Sequence, residues 1–335
     1  MSEGEAGSGE EMGQPTKTPA AAVRRKLGEP LPLQWADYFT VMGHHMVTQN
    51  RGSRTRFDAG RIDLWMGGPI DRHWSGLVNP TADIEEGGLD VEQAYVHYDS
   101  HWNERFVSAR VGQIMPFAIL FNQGGPGMSL SAPVVLTTAA DTGTTWTPTT
   151  LMRGAEIGAV NLPRWNVYAG VVQPNREGSQ TTDPHTDAYA SAEYLIGKRG
   201  DSLTAYGYWG KATGLDAHDR GFHRIGLFAN AYAKSTKATA GYLTGSDDSV
   251  GRSLDNWGYF VQAEQLLSEQ WAAYVRYDRF RQDLAAGGAR SIDGPSVGVS
   301  WWAQSQIRLT LEGRVLETSG ERNNRMLMAE FMWVF

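Results

Sequence analysis

Between residues 89 and 117 the chain alternates with a period of two. Ala94, Val96 and Tyr98 fall on one side, and Gln93, Tyr95 and His97 on the other. After a short polar turn at 100–104, Val107, Ala109 and Val111 oppose Ser108, Arg110 and Gly112. Alternation of this kind describes strands that separate an apolar medium from a polar one. The pattern recurs from residue 33 to the C-terminus. It gives segments at 35–49, 55–66, 73–84, the two arms of 89–117, 151–162, 164–173, 187–197, 202–211, 222–233, 236–244, 257–267, 270–281, 292–303, 305–315 and 323–335, sixteen in all. The third contains Pro80, which cannot donate to a ladder, so it reads as edge-like or irregular.

The two faces differ in charge. Trp165, Val167, Ala169 and Val171 form one row, Ile225, Leu227, Ala229 and Ala231 a second, Trp271, Ala273, Val275 and Tyr277 a third, and Ile307, Leu309 and Leu311 a fourth. None carries a charge, as a lipid-facing surface requires. The opposite faces carry Glu193, Arg224, Glu264, Arg276, Asp278, Arg308, Glu312, Arg314 and Glu330. Turned toward a dry core these would be prohibitive unless paired; turned toward a water-filled lumen they cost little. Aromatics gather at segment ends (Trp165, Tyr194, Trp209, Trp257, Trp271, Trp333 and Phe335), where an interfacial belt places them. Short turns at Pro163, 198–201, 234–235, 268–269 and Gln304 alternate with longer connections. The predicted fold is therefore all-β: a transmembrane antiparallel up-and-down β-barrel of about sixteen strands. Its short turns are periplasmic, its longer loops external, and both termini periplasmic in a Gram-negative outer membrane. A sandwich would not sort its loops by length.

Composition sharpens this picture. The chain has 335 residues, 39 glycines, 12 tryptophans, no cysteine and a mean hydropathy of -0.40. Low hydropathy suits a barrel whose alternate residues face water, and no apolar run is long enough for a transmembrane helix. The lack of cysteine excludes disulfides, thiolate metal sites and c-type haem attachment, and suits passage through an oxidising periplasm. A net charge of -7 without a dense Lys/Arg patch argues against nucleic acid. Residues 1–32 are acidic, Gly/Pro-rich and then briefly basic, the composition of a disordered tail, whereas 33–335 form the barrel. The tail has no apolar core, so an export signal is taken to have been removed ahead of it.

The candidate pore-lining residues are Arg110, Glu156, Glu193, Arg224, Glu264, Arg276, Asp278, Arg308, Glu312, Arg314 and Glu330. The segment 115–150 has Asp141 as its one charge and is the candidate constriction loop, the alternative being a loop lying over the mouth. If it folds inward, Arg110, Glu156, Arg276, Arg308 and Glu330 would set selectivity with pore width. Transverse pairs could instead brace the barrel, Arg308 with Glu330 for example. His44 and His45 point to opposite faces and cannot share a metal. His97 and His101 lie on a strand-to-turn segment, which disfavours zinc. Asp183, His185, Asp187 and the pair Asp247–Asp248 read as solvated loops rather than cation sites. No cofactor or metal is predicted. No G-x-S-x-G elbow is present and no enzyme is predicted.

The 90–98 strand with its Ala94–Tyr95–Val96 centre, Arg110–Val111–Gly112–Gln113, and Pro116–Phe117 just beyond resemble the phosphate-selective porin O and P family of outer-membrane barrels. The terminal Phe335, with Phe331 and Trp333 at alternate positions before it, resembles the signal read by the barrel-assembly machinery. The resemblance is local, about thirty residues plus the last strand. It implies a sixteen-stranded diffusion channel, commonly a homotrimer, in which the segment after Pro116 and Phe117 enters the barrel as a constriction. Anion-selective members line the pore with Arg ladders and Lys clusters. Here the inward face mixes Arg and Glu, and 115–150 brings no Lys, so phosphate selectivity is not carried over. The expected function is passive diffusion of small hydrophilic solutes or ions, with outer-membrane lipid and lipopolysaccharide around the barrel. The alternative is a structural sheath for a partner such as an electron-transfer cytochrome, contacted by the N-terminal tail.

Overall fold

The computed structural model describes residues 39–50, 55–84, 87–102, 105–115, 129–138, 147–149, 151–174, 185–197, 200–213, 219–249, 252–320 and 324–335. The tail at 1–32 and the first residues of the predicted barrel lie outside this set, as do Pro116, Phe117 and Asp141.

The described strands are β1 (Phe39–Asn50), β2 (Arg56–Pro69), β3 (Trp74–Asp83), β4 (Leu89–Trp102), β5 (Arg105–Ile114), β6 (Met152–Leu162), β7 (Trp165–Pro174), β8 (Asp187–Ile196), β9 (Asp201–Thr213), β10 (Asp219–Ala233), β11 (Thr236–Ser249), β12 (Arg252–Leu266), β13 (Trp271–Asp283), β14 (Ala289–Gln304), β15 (Ile307–Thr318) and β16 (Asn324–Val334), with one helical turn, α1 (Val134–Thr137), between β5 and β6. Each strand pairs with its sequence neighbours, and β1 closes on β16 with Met42 opposite Val334 and Asn50 opposite Met326. All sixteen pairings are antiparallel. Closure leaves no unpaired edge, the condition for carrying strands through hydrocarbon.

The alternation predicted from sequence decides which way each residue points. Val171, Ile225, Leu227, Val275, Leu309 and Leu311 project outward and are exposed, and so do Val96, Val107 and Val111 of the first hairpin. Outward aromatic pairs, Trp165 tilted against Tyr194 (4.9 Å) and Trp271 stacked on Trp301 (6.0 Å), sit at one rim. With an even strand number, both described chain ends lie at that same rim. Connections there are short, as at Ala233 to Thr236 and Gln304 to Ile307. The other rim carries the excursion between Ile114 and Met152.

Three details depart from the sequence reading. The 73–84 segment is a full barrel strand, its irregularity confined to a register shift at Asn79/Pro80. Strands β10, β11, β12 and β14 run past the predicted limits at the far rim, so the connection expected between 244 and 257 shrinks to a two-residue link between Ser249 and Arg252. There the strands are polar on both faces, and hydrophobic periodicity ends before hydrogen bonding does. Finally, the lumen is not uniformly wet. Val134, Val135 and Leu136 of α1 pack with Phe222, Phe228, Leu243, Phe260 and Phe280 in a buried apolar cluster inside the barrel.

Candidate functional site

The inward wall of β13 and β15 presents Tyr274, Arg276, Asp278, Glu312 and Arg314. Arg276, Asp278 and Glu312 are fully buried. What covers them is the 129–138 stretch. Glu312 accepts the backbone N–H of Leu130 (2.8 Å) and of Ser131 (3.1 Å), the Ser131 hydroxyl and the Tyr274 phenol. Arg276 donates to the Ser131 carbonyl (2.6 Å) and its hydroxyl (2.8 Å), and pairs with Asp278 through Nε (2.7 Å). Asp278 also accepts the Val134 N–H (3.2 Å) and lies 3.7 Å from Arg314. Backbone groups that leave a ladder inside a barrel need such partners. Three buried charges supply them, and a stretch without charges of its own is held by the wall's.

Close approach is allowed by Gly258 of β12. A Cβ there would stand 2.6 Å from the Arg279 carbonyl oxygen and 2.8 Å from Val135 Cγ2. The excursion starts from β5 and docks eight strands away, on the opposite side of the sixteen-strand cylinder. With strands about 4.8 Å apart and tilted by about 40°, that cylinder is about 30 Å across. The segment therefore enters the barrel and reaches its far wall at mid-depth. The described part of the predicted constriction loop is inside, not over the mouth.

All eleven predicted wall charges point inward, and each has a partner. Arg110 pairs with Glu156 (Nη2 to Oε1, 2.5 Å), and Glu156 also accepts the Tyr189 phenol (2.5 Å). Glu193 accepts Asn166 Nδ2 (2.8 Å), and Glu264 accepts Gln262 Nε2 (2.8 Å). Arg224 pairs with Asp247. Arg308 donates to Glu330 at 3.0 Å, the expected brace between neighbouring strands. Most of these charges are buried, and pairing, the condition set for charges facing a dry interior, is met at each of them.

Asp187 and Asp247 also correct their loop assignment. Both are buried inward residues of β8 and β11. Asp187 accepts the Tyr208 phenol (2.5 Å) and the Lys211 N–H (3.0 Å). Asp183 lies outside the described residues. The sequence reading sent aromatics to the rims and missed the inward phenols Tyr189, Tyr208 and Tyr274, each on a carboxylate. Parity could have found two of them, since Tyr189 alternates with Asp187 and Glu193, and Tyr274 with Arg276.

The adjoining part of the wall, β1, β2 and β16, is more open. His44 Nδ1 is 2.9 Å from Glu330, Arg61 pairs with Asp63 (3.2 Å) and Glu92 (2.6 Å), and Asp63 accepts the Thr81 hydroxyl (2.7 Å). Arg61 is 45% and His44 21% exposed, against 0% for Arg276. Arg308 of β15, at 18% exposure, shares this partly exposed side. Among the predicted assembly residues, Phe331 and Phe335 project outward, and Trp333 packs over Gly43 at the closing seam.

No family model matches this sequence, and no curated protein does. Solved structures do match. OmpT of Vibrio cholerae, an outer membrane protein in a trimer form, aligns at a TM-score of 0.67 and 10% identity, over 89% of this chain and 98% of that one. The anion-selective porin from Comamonas acidovorans aligns at 0.67 and 13%, with the same coverage. OpdK of Pseudomonas aeruginosa, solved with vanillate, aligns at 0.53 and 10%, again over 89% and 98%. At such identities the likeness speaks for the fold, and the fold it shows is that of the outer-membrane barrels.

Proposed function

We propose that this protein is a non-enzymatic outer-membrane channel through which small hydrophilic solutes or ions diffuse. Both termini and the short turns would face the periplasm. The observation that carries the reading is the uncharged segment held inside a closed cylinder by Arg276, Asp278 and Glu312. It takes up lumen in front of β13 and β15, while Arg61, Arg308 and His44 keep part of their side chains exposed. A fixed constriction of that kind selects by width and by the charges left facing it. The neighbours described as porins support this direction, and the trimer form of the Vibrio protein supports a homotrimer. Anion preference is not transferred, because the open side offers both signs. Nothing among the neighbours favours the cytochrome-sheath alternative.

Purified protein in a planar bilayer tests the proposal. Steady ohmic steps at low voltage are the expected result. A barrel that inserts and stays closed would remove the channel reading.

A further inference from the structure

Five of the chain's eleven methionines lie on two neighbouring strands. Met42 and Met46 belong to β1, and Met326, Met328 and Met332 to β16. Register puts all five on the inner face. Met42 is opposite Val334, His44 opposite Met332, Met46 opposite Glu330, Thr48 opposite Met328, and Asn50 opposite Met326. Side chains directly opposite are about 5 Å apart at Cβ and diagonal ones about 7–8 Å, within reach of a long thioether. Met46 is thereby diagonal to both Met328 and Met332, and Met42 to Met332. A water-facing wall needs no such apolar chains; where this face is apolar elsewhere, as at Phe222 and Phe260, α1 packs with it.

His44 stands among them with its ring oriented. Nδ1 is hydrogen-bonded to Glu330 at 2.9 Å. Nε2 is shielded from solvent and makes no hydrogen bond, Asp63 Oδ2 being 3.6 Å away. A carboxylate holding one imidazole nitrogen, with the other nitrogen outside any hydrogen bond, is how proteins prepare histidine for a metal. His45, its neighbour, faces outward and stacks on Phe331.

The surroundings choose the kind of ion. Thioether and imidazole donors favour soft cations, whereas divalent hard cations need uncommitted oxygens. Here Asp63 is engaged by Thr81 and Arg61, and Glu330 by Arg308 and His44. Glu92 is likewise engaged by Arg61, and Asp58, opposite Met46, by the Gly60 N–H, so the carboxylates described at this seam are already committed. We propose that the inner seam of β1 and β16 binds a soft monovalent cation, Cu(I) or Ag(I), through His44 Nε2 and the sulfurs of Met42, Met46 and Met332. Met328 and Met326 continue the donor row along the lumen.

Binding does not depend on conduction, so failure here and failure of the channel reading are separable. Silver nitrate in chloride-free buffer is the probe, equilibrated with the purified full chain in detergent and read by calorimetry and by retained silver. Wild type retains one tight equivalent. The Met46→Leu/Met332→Leu double variant preserves volume, and with His44→Gln each weakens that site at least about tenfold. Met66→Leu, on the outer face, leaves it unchanged. Folding of every variant is checked by heat-modifiable gel mobility. Absence of tight silver, retention undiminished in the folded double variant, or zinc bound as tightly as silver would each overturn the assignment.

Discussion

Two walls of one lumen treat charge in opposite ways. At β13 and β15, Arg276, Asp278 and Glu312 are sealed beneath the 129–138 segment and spend their hydrogen bonds on its backbone. At β1, β2, β15 and β16, Arg61, Arg308 and His44 keep contact with the lumen while pairing with Asp63 and Glu330. The same residue types are structural anchors on one side and lumen-facing groups on the other. What separates them is whether a second segment covers them, which strand parity alone does not reveal.

The largest expected contrast is in stability. Arg276→Ala takes from buried Asp278 its nearer cation, leaving Arg314 at 3.7 Å, and strips the Ser131 carbonyl of its donor, and should cost about 3–5 kcal/mol, whereas Arg308→Ala, partly screened by water, should cost about 1 kcal/mol or less. Urea unfolding in lipid vesicles measures both, and equal costs would erase the distinction between the walls. Next comes Gly258→Val. Its side chain would collide with Val135 and the Arg279 carbonyl, displacing α1 at a cost of about 1–3 kcal/mol and widening the pore, seen as a higher single-channel conductance. Gly313→Val, where a Cβ meets nothing within 4 Å, should be neutral to within about 0.5 kcal/mol and leave conductance alone.

A third measurement reads the open side directly. Arg308→Glu should move the reversal potential under a salt gradient toward cation preference. Asp247→Asn, buried beside Arg224, should move it little. The smallest effect is outside the membrane span. Asp71 in the β2–β3 turn accepts the N–H groups of His73 (2.7 Å) and Trp74 (2.9 Å), which hold its carboxyl below the usual carboxylate range. A carboxyl depressed on folding stabilises above its unfolded pKa and loses that contribution as pH falls through the folded one. The protection of the His73 and Trp74 amides, taken relative to the intrinsic exchange rate at each pH, should therefore fall on acidification, but not in Asp71→Asn.

Much of this architecture was readable in one dimension. Alternation in 89–117 and in the rows ending at Tyr277 and Leu311 fixed strand existence, inward and outward faces, and strand number, because a period of two is a local property of extended backbone. It failed where both faces are polar, as in the outer ends of β11 and β12, and it could not see Tyr189 or Tyr274 as carboxylate partners. The sequence by itself determined that Arg276, Glu312, Arg308 and Glu330 share the inside of a cylinder. Only the tertiary structure decided that the first two would be covered by 129–138 and Arg308 left partly exposed. That choice belongs to contacts between Ser131 and Glu312, 181 positions apart, and between His44 and Glu330, 286 apart. Closure of the barrel brings them together, and no local periodicity carries information over such separations.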